Sequence, residues 1–195
     1  MGNWEWGMGN WGLKKEKRLL SYFLILITLF CLMGCQSQKK PVEEQPLQVQ
    51  VKVARVVSGQ TLEVLGMGDQ PNLISQVRLI GIDAPDIRQR PWGDGARETL
   101  DKLIGSEQQS VRLEFDLQPK DKIGRNLAYV WKDEVLLNEQ LVKDGLALFA
   151  PRSPNNKYDL RLERAQQWSR LMGQGIWNPD KPMRVSPAEF RRQNR

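Results

Sequence analysis

The residues best suited to chemistry fall in three short segments: Val56-Val57-Ser58-Gly59-Gln60-Thr61, Arg78-Leu79-Ile80-Gly81-Ile82-Asp83-Ala84-Pro85-Asp86, and Asp121-Lys122-Ile123-Gly124-Arg125-Asn126-Leu127-Ala128-Tyr129. Arg78 ends a strand-like run and Arg125 follows a glycine turn, so the two can converge on one anion. A guanidinium is planar, permanently charged and able to donate two parallel hydrogen bonds to a phosphate. Such donors suit a five-coordinate phosphorus dianion, on which charge grows as a reaction proceeds. The carboxylates just after Arg78 supply hard oxygens that can hold Ca²⁺, which polarises a phosphoryl group and orients water. Each segment also has a plainer explanation. Arg78 can be an outward strand residue in a surface ion pair, Asp83-Ala84-Pro85-Asp86 a strand-ending turn, and Gly124 a loop glycine.

Composition removes other chemistries. The chain has no histidine, which excludes Ser-His-Asp and Cys-His nucleophile systems, His-ligated zinc, and nucleases built on a histidine base. Catalysis falls to carboxylates, arginines, lysines or a hard metal. The two cysteines, Cys31 and Cys35, lie within one segment, so there is no disulfide framework and no disulfide partner. A length of 195 residues gives room for one ordinary domain with appendages, and the chain is expected to be a monomer. The formal net charge of +6 permits a polyanionic partner but also serves solubility.

The elements that must position the three segments follow a membrane-targeting leader. Lys14, Lys15, Lys17 and Arg18 precede an apolar run from Leu19 to Met33 that ends in Leu32-Met33-Gly34-Cys35. This is the pattern of a signal sequence, too short for a comfortable span. Its last four residues resemble a bacterial lipobox, in which the Cys35 thiol is lipidated. Residues 1–35 are thus read as leader and lipoprotein signal, and the protein as extracytoplasmic and membrane-anchored; an uncleaved anchor is the alternative. The Trp/Gly-rich residues 2–12 receive no function. Residues 36–46 read as a flexible polar tether. From Leu47 the pattern turns to period two. Strands are expected at Leu47–Val53, Thr61–Leu65, Gln76–Ile82, Val111–Leu117 and Leu127–Trp131, with Glu114 outward in the fourth. Helical spacing appears at Ala96–Ile104, at Asn138–Val142 with Asn138 as cap, and along Tyr158, Leu162, Ala165, Trp168 and Met172. Five short strands with about three helices suggest a mainly β, α+β domain over 47–178, a five-stranded Greek-key barrel of the OB type. Residues 179–195 are basic and are expected to form a solvated, disordered tail.

Together the three segments, with Leu136-Leu137-Asn138-Glu139-Gln140-Leu141-Val142 and Pro154-Asn155-Asn156, resemble the staphylococcal nuclease (thermonuclease) family over roughly Val49 to Asn178. The resemblance implies a Ca²⁺-dependent phosphodiesterase acting on DNA or RNA. It makes Arg78 and Arg125 the catalytic phosphate clamp, with Lys122 beside them on the nucleic acid. It makes Asp83 and the Ala84 carbonyl metal ligands. Asp86 stands where the family has a glutamate that positions or deprotonates water. Ser58-Gly59-Gln60-Thr61 replaces the family's Asp-Gly-Asp-Thr, so Gln60 is a neutral, weak metal ligand. Ile123 and Ala150-Pro151-Arg152-Ser153 stand where aromatic residues are common, which removes base stacking. The site is thereby expected to be weakened. The competing reading is a catalytically inactive module of the same fold that binds nucleic acid or another polyanion; the blandest is a lipoprotein barrel used for protein contacts.

Overall fold

The computed structural model describes residues 47–68, 72–105 and 109–194; the leader, Cys35 and the tether lie outside the described residues. Strand β1 (Gln48–Ser58) buries Val51, Val53 and Val56 and leaves Gln50 and Lys52 exposed, as period-two alternation requires. Its first half pairs antiparallel with β5 (Ser110–Glu114) and its second half with β2 (Thr61–Leu65). Register shifts after Val53 and Val56 let it serve both neighbours, because a bulge bends and twists the strand that carries it. Strand β3 (Ser75–Leu79) continues antiparallel from β2, and β6 (Asn126–Lys132) pairs antiparallel with β5. One parallel pairing, β3 with β6, closes a five-stranded barrel of the OB type. Its register sets Val77 against Asn126, Arg78 against Leu127 and Leu79 against Ala128. The Ile80 N–H extends this ladder to the Ala128 carbonyl at 3.0 Å. Three short strands complete the sheets: β4 (Ile82–Asp83), β7 (Val135–Leu136) and β8 (Leu148–Phe149), with β4 antiparallel to β8.

Helix α1 (Trp92–Ile104) lies against β1 and buries Ala96, Leu100 and Ile104. It stops where glycine ends the periodicity, with Gly105 at φ 99 and its N–H on the Asp101 carbonyl. Helices α2 (Leu137–Lys143) and α3 (Asp159–Leu171) pack on one another. A fourth, α4 (Pro187–Gln193), begins at Ser186, whose Oγ accepts the Glu189 N–H at 3.2 Å. The described residues thus contain four α-helices rather than about three.

Packing overrides the sequence pattern at four places. Asn138 does not cap α2; it sits inside the helix, fully buried, with Oδ1 accepting the Val130 N–H at 2.9 Å and Nδ2 donating to the Ile80 carbonyl at 2.8 Å. It bridges β6 to the turn after β3. Asn138→Ala strands two buried backbone groups and is expected to cost ~2–4 kcal/mol in urea unfolding; an unchanged midpoint would show that the bridge does not hold the sheet. Helix α3 buries Leu162, Ala165 and Ser169, whereas Trp168 and Met172 are exposed, so the buried face is rotated from the apolar stripe. Glu114 is not outward. It is buried where β5 ends, and its carboxylate is satisfied by Trp131 Nε1 at 2.8 Å, the Tyr158 hydroxyl and Lys157 Nζ, while Leu117 beyond the strand's end is exposed. The basic C-terminal segment is structured: Gln89 Nε2 donates to the Val185 carbonyl at 2.6 Å and Arg88 Nη1 to the Asn194 carbonyl at 3.3 Å. The expectation of a disordered tail is corrected, because polar groups near α1 capture its backbone.

Candidate active site

Arg78 is the last but one residue of β3, and its surroundings are made by the turn that follows. Gly81 has φ +75, a conformation glycine adopts without strain, and Leu162 Cδ1 of α3 lies 2.5 Å from where a Cβ would stand. The chain therefore folds back tightly. Arg78 Nη2 donates to the Ile82 carbonyl at 3.0 Å and lies 3.7 Å from Asp83 Oδ1. The Arg78 side chain is only 9% exposed, and its Nη1 is buried with no partner. Burial pushes the guanidinium down to about 10; Asp83 works the other way, and Arg125, Arg152 and Arg191 press it further down. It stays charged at neutral pH, and four guanidinium groups share one region.

Arg125 reaches that region because β6 starts one residue later, beside Val77 of β3. The Asp121 carboxylate organises its turn. Oδ1 accepts the N–H groups of Ile123 at 3.1 Å and Arg125 at 2.9 Å, and Oδ2 accepts Arg125 Nε at 2.8 Å, with Gly124 at φ +85 allowing the bend. Burial disfavours the charged form of Asp121, but the hydrogen bonds from Arg125 and Ile123 outweigh it and hold the carboxyl below its ordinary range. Asp121 is a positioning residue. Asp121→Ala is expected to lower turnover on the order of ten- to a hundredfold by letting Arg125 wander, and to add little in an Arg125→Ala background; independent, multiplying losses would refute the coupling. Lys122 and Ile123 are exposed on the same turn.

The remaining predicted residues are brought near, but in unexpected roles. Gly59 lets the β1–β2 turn approach α1 and Ala84: its missing Cβ would meet Ala96 Cβ at 2.5 Å and Ala84 Cβ at 3.0 Å. From that turn Gln60 Oε1 accepts the Ala84 N–H at 2.6 Å. Gln60 therefore acts as a strut, and the oxygen predicted to face a metal is committed to the backbone. Asp83 is held by Arg191 of α4, whose Nη2 lies 2.7 Å from each carboxylate oxygen, while Arg191 Nη1 lies 3.5 Å from the Ala84 carbonyl. Asp86 accepts from Arg88 through its backbone N–H at 3.0 Å, Nε at 2.9 Å and Nη2 at 3.2 Å. The Arg88 side-chain hydrogen bonds hold the Asp86 carboxyl below its usual range, which makes it a poor proton acceptor.

These donors do not fit a calcium ion. Calcium takes six to eight oxygens with several carboxylates, whereas here the Asp83 carboxylate is flanked by Arg78 and Arg191 and both its oxygens are engaged by Arg191. Among the described residues, no group of three or more acidic or cysteine side chains is placed to hold a metal. The predicted ligand set of Asp83, Ala84 and Gln60 is therefore adjacent in space but turned to other partners.

Three contributors escaped the sequence reading. Asp121 was hidden in a segment read for its arginine, although Asp-x-x-Gly-Arg is a turn in which an aspartate bonds the backbone two residues on. Arg152 is carried to the cluster by Asn155, which is buried, accepts the Gln118 N–H at 2.7 Å, donates to the Gln118 carbonyl at 2.8 Å, and bonds the Arg152 carbonyl through its own N–H. Arg191 was one arginine of a basic tail, and only the capping signal Ser186-Pro187-Ala188-Glu189 marked a helix there.

Comparison with known proteins shows the family. The staphylococcal nuclease homologue family model matches residues 76–179, from β3 to the residues that follow α3. A thermonuclease of Staphylococcus hyicus is 39% identical over 132 residues, covering 65% of this chain and 75% of the relative. One from Staphylococcus intermedius is 38% identical over 130 residues, covering 64% and 74%. An uncharacterized endonuclease of Haemophilus influenzae is 29% identical over 180 residues, covering 92% of this chain and 88% of its own. With β3, β5, β6, the first three helices and both arginines in the matched span, the chain belongs to the staphylococcal nuclease homologue family.

Proposed function

We propose that the chain is a nuclease that hydrolyses phosphodiester bonds of DNA or RNA outside the cytoplasm, held at a membrane through lipidated Cys35. The observation that carries the reading is the Arg78 Nη1 donor, buried without a partner beside Arg125, Arg152 and Arg191. Leaving such a donor unpaired is costly, and a dianionic group completes it. The names of the relatives support the reaction class, being thermonucleases and an endonuclease. Arg78 binds the phosphate before and during reaction, and Arg125, more exposed and tied to Asp121, meets the charge that develops. Asp86, engaged by Arg88, makes turnover slow. A calcium-dependent step is not assigned, because the donors around Asp83 do not fit that ion. The test incubates the full chain with single-stranded DNA and with RNA beside an Arg125→Ala control. Cleavage lost in the control supports the enzyme; equal cleavage in both would sink it.

A second reading rests on Asp86. With its carboxyl held below the usual range by Arg88, the arginine cluster binds a polyanion without hydrolysing it. Arg88→Ala separates the two. Freed of that hydrogen bond, Asp86 becomes a stronger base, and cleavage is expected to rise severalfold near neutral pH. Binding without cleavage in both wild type and variant would favour the binding module.

A further inference from the structure

The C-terminal helix enters the site from outside the barrel, and its contact there is specific. Arg191 grips both oxygens of Asp83 and approaches the Ala84 carbonyl, the pair expected from sequence to hold a metal. A guanidinium has five N–H donors; these contacts engage Nη2 and, at the limit of hydrogen bonding, Nη1, leaving donor capacity on the Arg191 fork for an anion. The side chain is about one-third exposed, at 35%. It borders a cleft of about 490 Å³ lined by Asp86, Arg88, Ala188, Arg192 and Asn194. Two further observations make this a site rather than a surface ion pair. Arg78, whose Nη2 lies 3.7 Å from Asp83 Oδ1, has a buried, unpartnered Nη1, so the donors beside Asp83 lack an acceptor rather than a cation. The helix is also anchored independently of Arg191, through Gln89 to the Val185 carbonyl and Arg88 to the Asn194 carbonyl.

We propose that Arg191 is the resident cation of this site: it occupies the place beside Asp83 that a divalent metal would take, and with Arg78, Arg125 and Arg152 it forms a metal-free pocket for a phosphodiester. Asp83 then orients the Arg191 guanidinium rather than coordinating an ion, while the Ile82 carbonyl holds Arg78. The inference rests on the phosphodiester reading above and names the group that completes it.

The test measures binding of a labelled short oligothymidylate to the full chain by anisotropy, in chelator and in millimolar CaCl2 at matched ionic strength. Binding of the metal alone is measured by calorimetry. Wild type is expected to bind the oligonucleotide equally well in both buffers and to show no saturable calcium site. Arg191→Ala is expected to weaken binding about tenfold in chelator and to reduce the slope of log affinity against log salt by about 0.7, the signature of one lost single-strand phosphate contact. Arg191→Lys should recover little, because an ammonium cannot fork between Asp83 and a phosphate. Lys102→Ala, an exposed lysine in the last turn of α1 and outside this cleft, should leave affinity unchanged. A saturable calcium site in wild type that disappears in Asp83→Ala would overturn the proposal. So would calcium-strengthened binding gained in Arg191→Ala, which would make Arg191 a removable plug. If Arg78→Ala and Arg125→Ala weaken binding while Arg191→Ala does not, the Arg191 assignment fails and the phosphodiester reading stands. If none of the three matters, both fail.

Discussion

Arg78→Met is expected to abolish cleavage while raising the temperature at which the protein unfolds. The loss should be on the order of 10²–10³ in turnover, the effect of removing one buried donor from developing negative charge. The gain comes from the same burial. Arg78 is 9% exposed, has an unpartnered Nη1, lies 3.7 Å from Asp83, and is pressed upon by three other arginines. Replacing a buried, imperfectly paired charge with an apolar side chain of similar length is often stabilising, here by about 1 kcal/mol. Asp83 is not orphaned by the change, since Arg191 keeps both of its oxygens. Thermal unfolding and a single-turnover assay on the same preparation decide it. A variant that loses both stability and activity would mean that Arg78 is a structural strut.

Arg125→Ala is expected to lose comparable activity with the opposite effect on stability. Arg125 is partly exposed and carries little burial penalty, but it stabilises Asp121, whose side chain is 3% exposed. The carboxyl of Asp121 lies below its ordinary value of 3.8 in the folded protein. A depressed carboxyl contributes stability that is present above its unfolded value and is lost as pH falls through the folded one. Removing Arg125 should therefore destabilise the protein near neutral pH, and the gap from wild type should close as pH drops below the folded-state value. Melts at pH 7 and at pH near 2 test the sign; a constant gap would show that the Asp121 pair is not its source. The two arginines would then be alike in function and opposed in stability, a division set by burial.

Much of this was legible in the chain. Period-two alternation located the barrel strands because each has one face on the core, as Val51 and Val53 show, and glycine punctuation ended α1 at Gly105. Arg78 and Arg125 were legible as a pair because their motifs are local. What was not legible depends on contacts between distant segments. Glu114 has the composition of an outward residue and is buried because Trp131, Tyr158 and Lys157 converge on it. Gln60 has the chemistry of a weak ligand and is turned to Ala84 by the close approach at Gly59. Arg191 is separated from Asp83 by 108 positions, and no periodicity reports such a meeting.

The parallel pairing of β3 with β6 also decides when the site comes into existence. Every other ladder of the barrel is antiparallel; the pairing that sets Arg78 against Leu127, two residues past Arg125, joins segments nearly fifty positions apart, a separation exceeded in the barrel by β1 with β5, and seals the sheet on itself. Pairings of such separation must first overcome loop-closure entropy and form slowly. A nascent chain thus carries both arginines before it brings them together. The anion site is assembled at closure rather than at synthesis, so an incompletely folded copy holds the full set of side chains and no site.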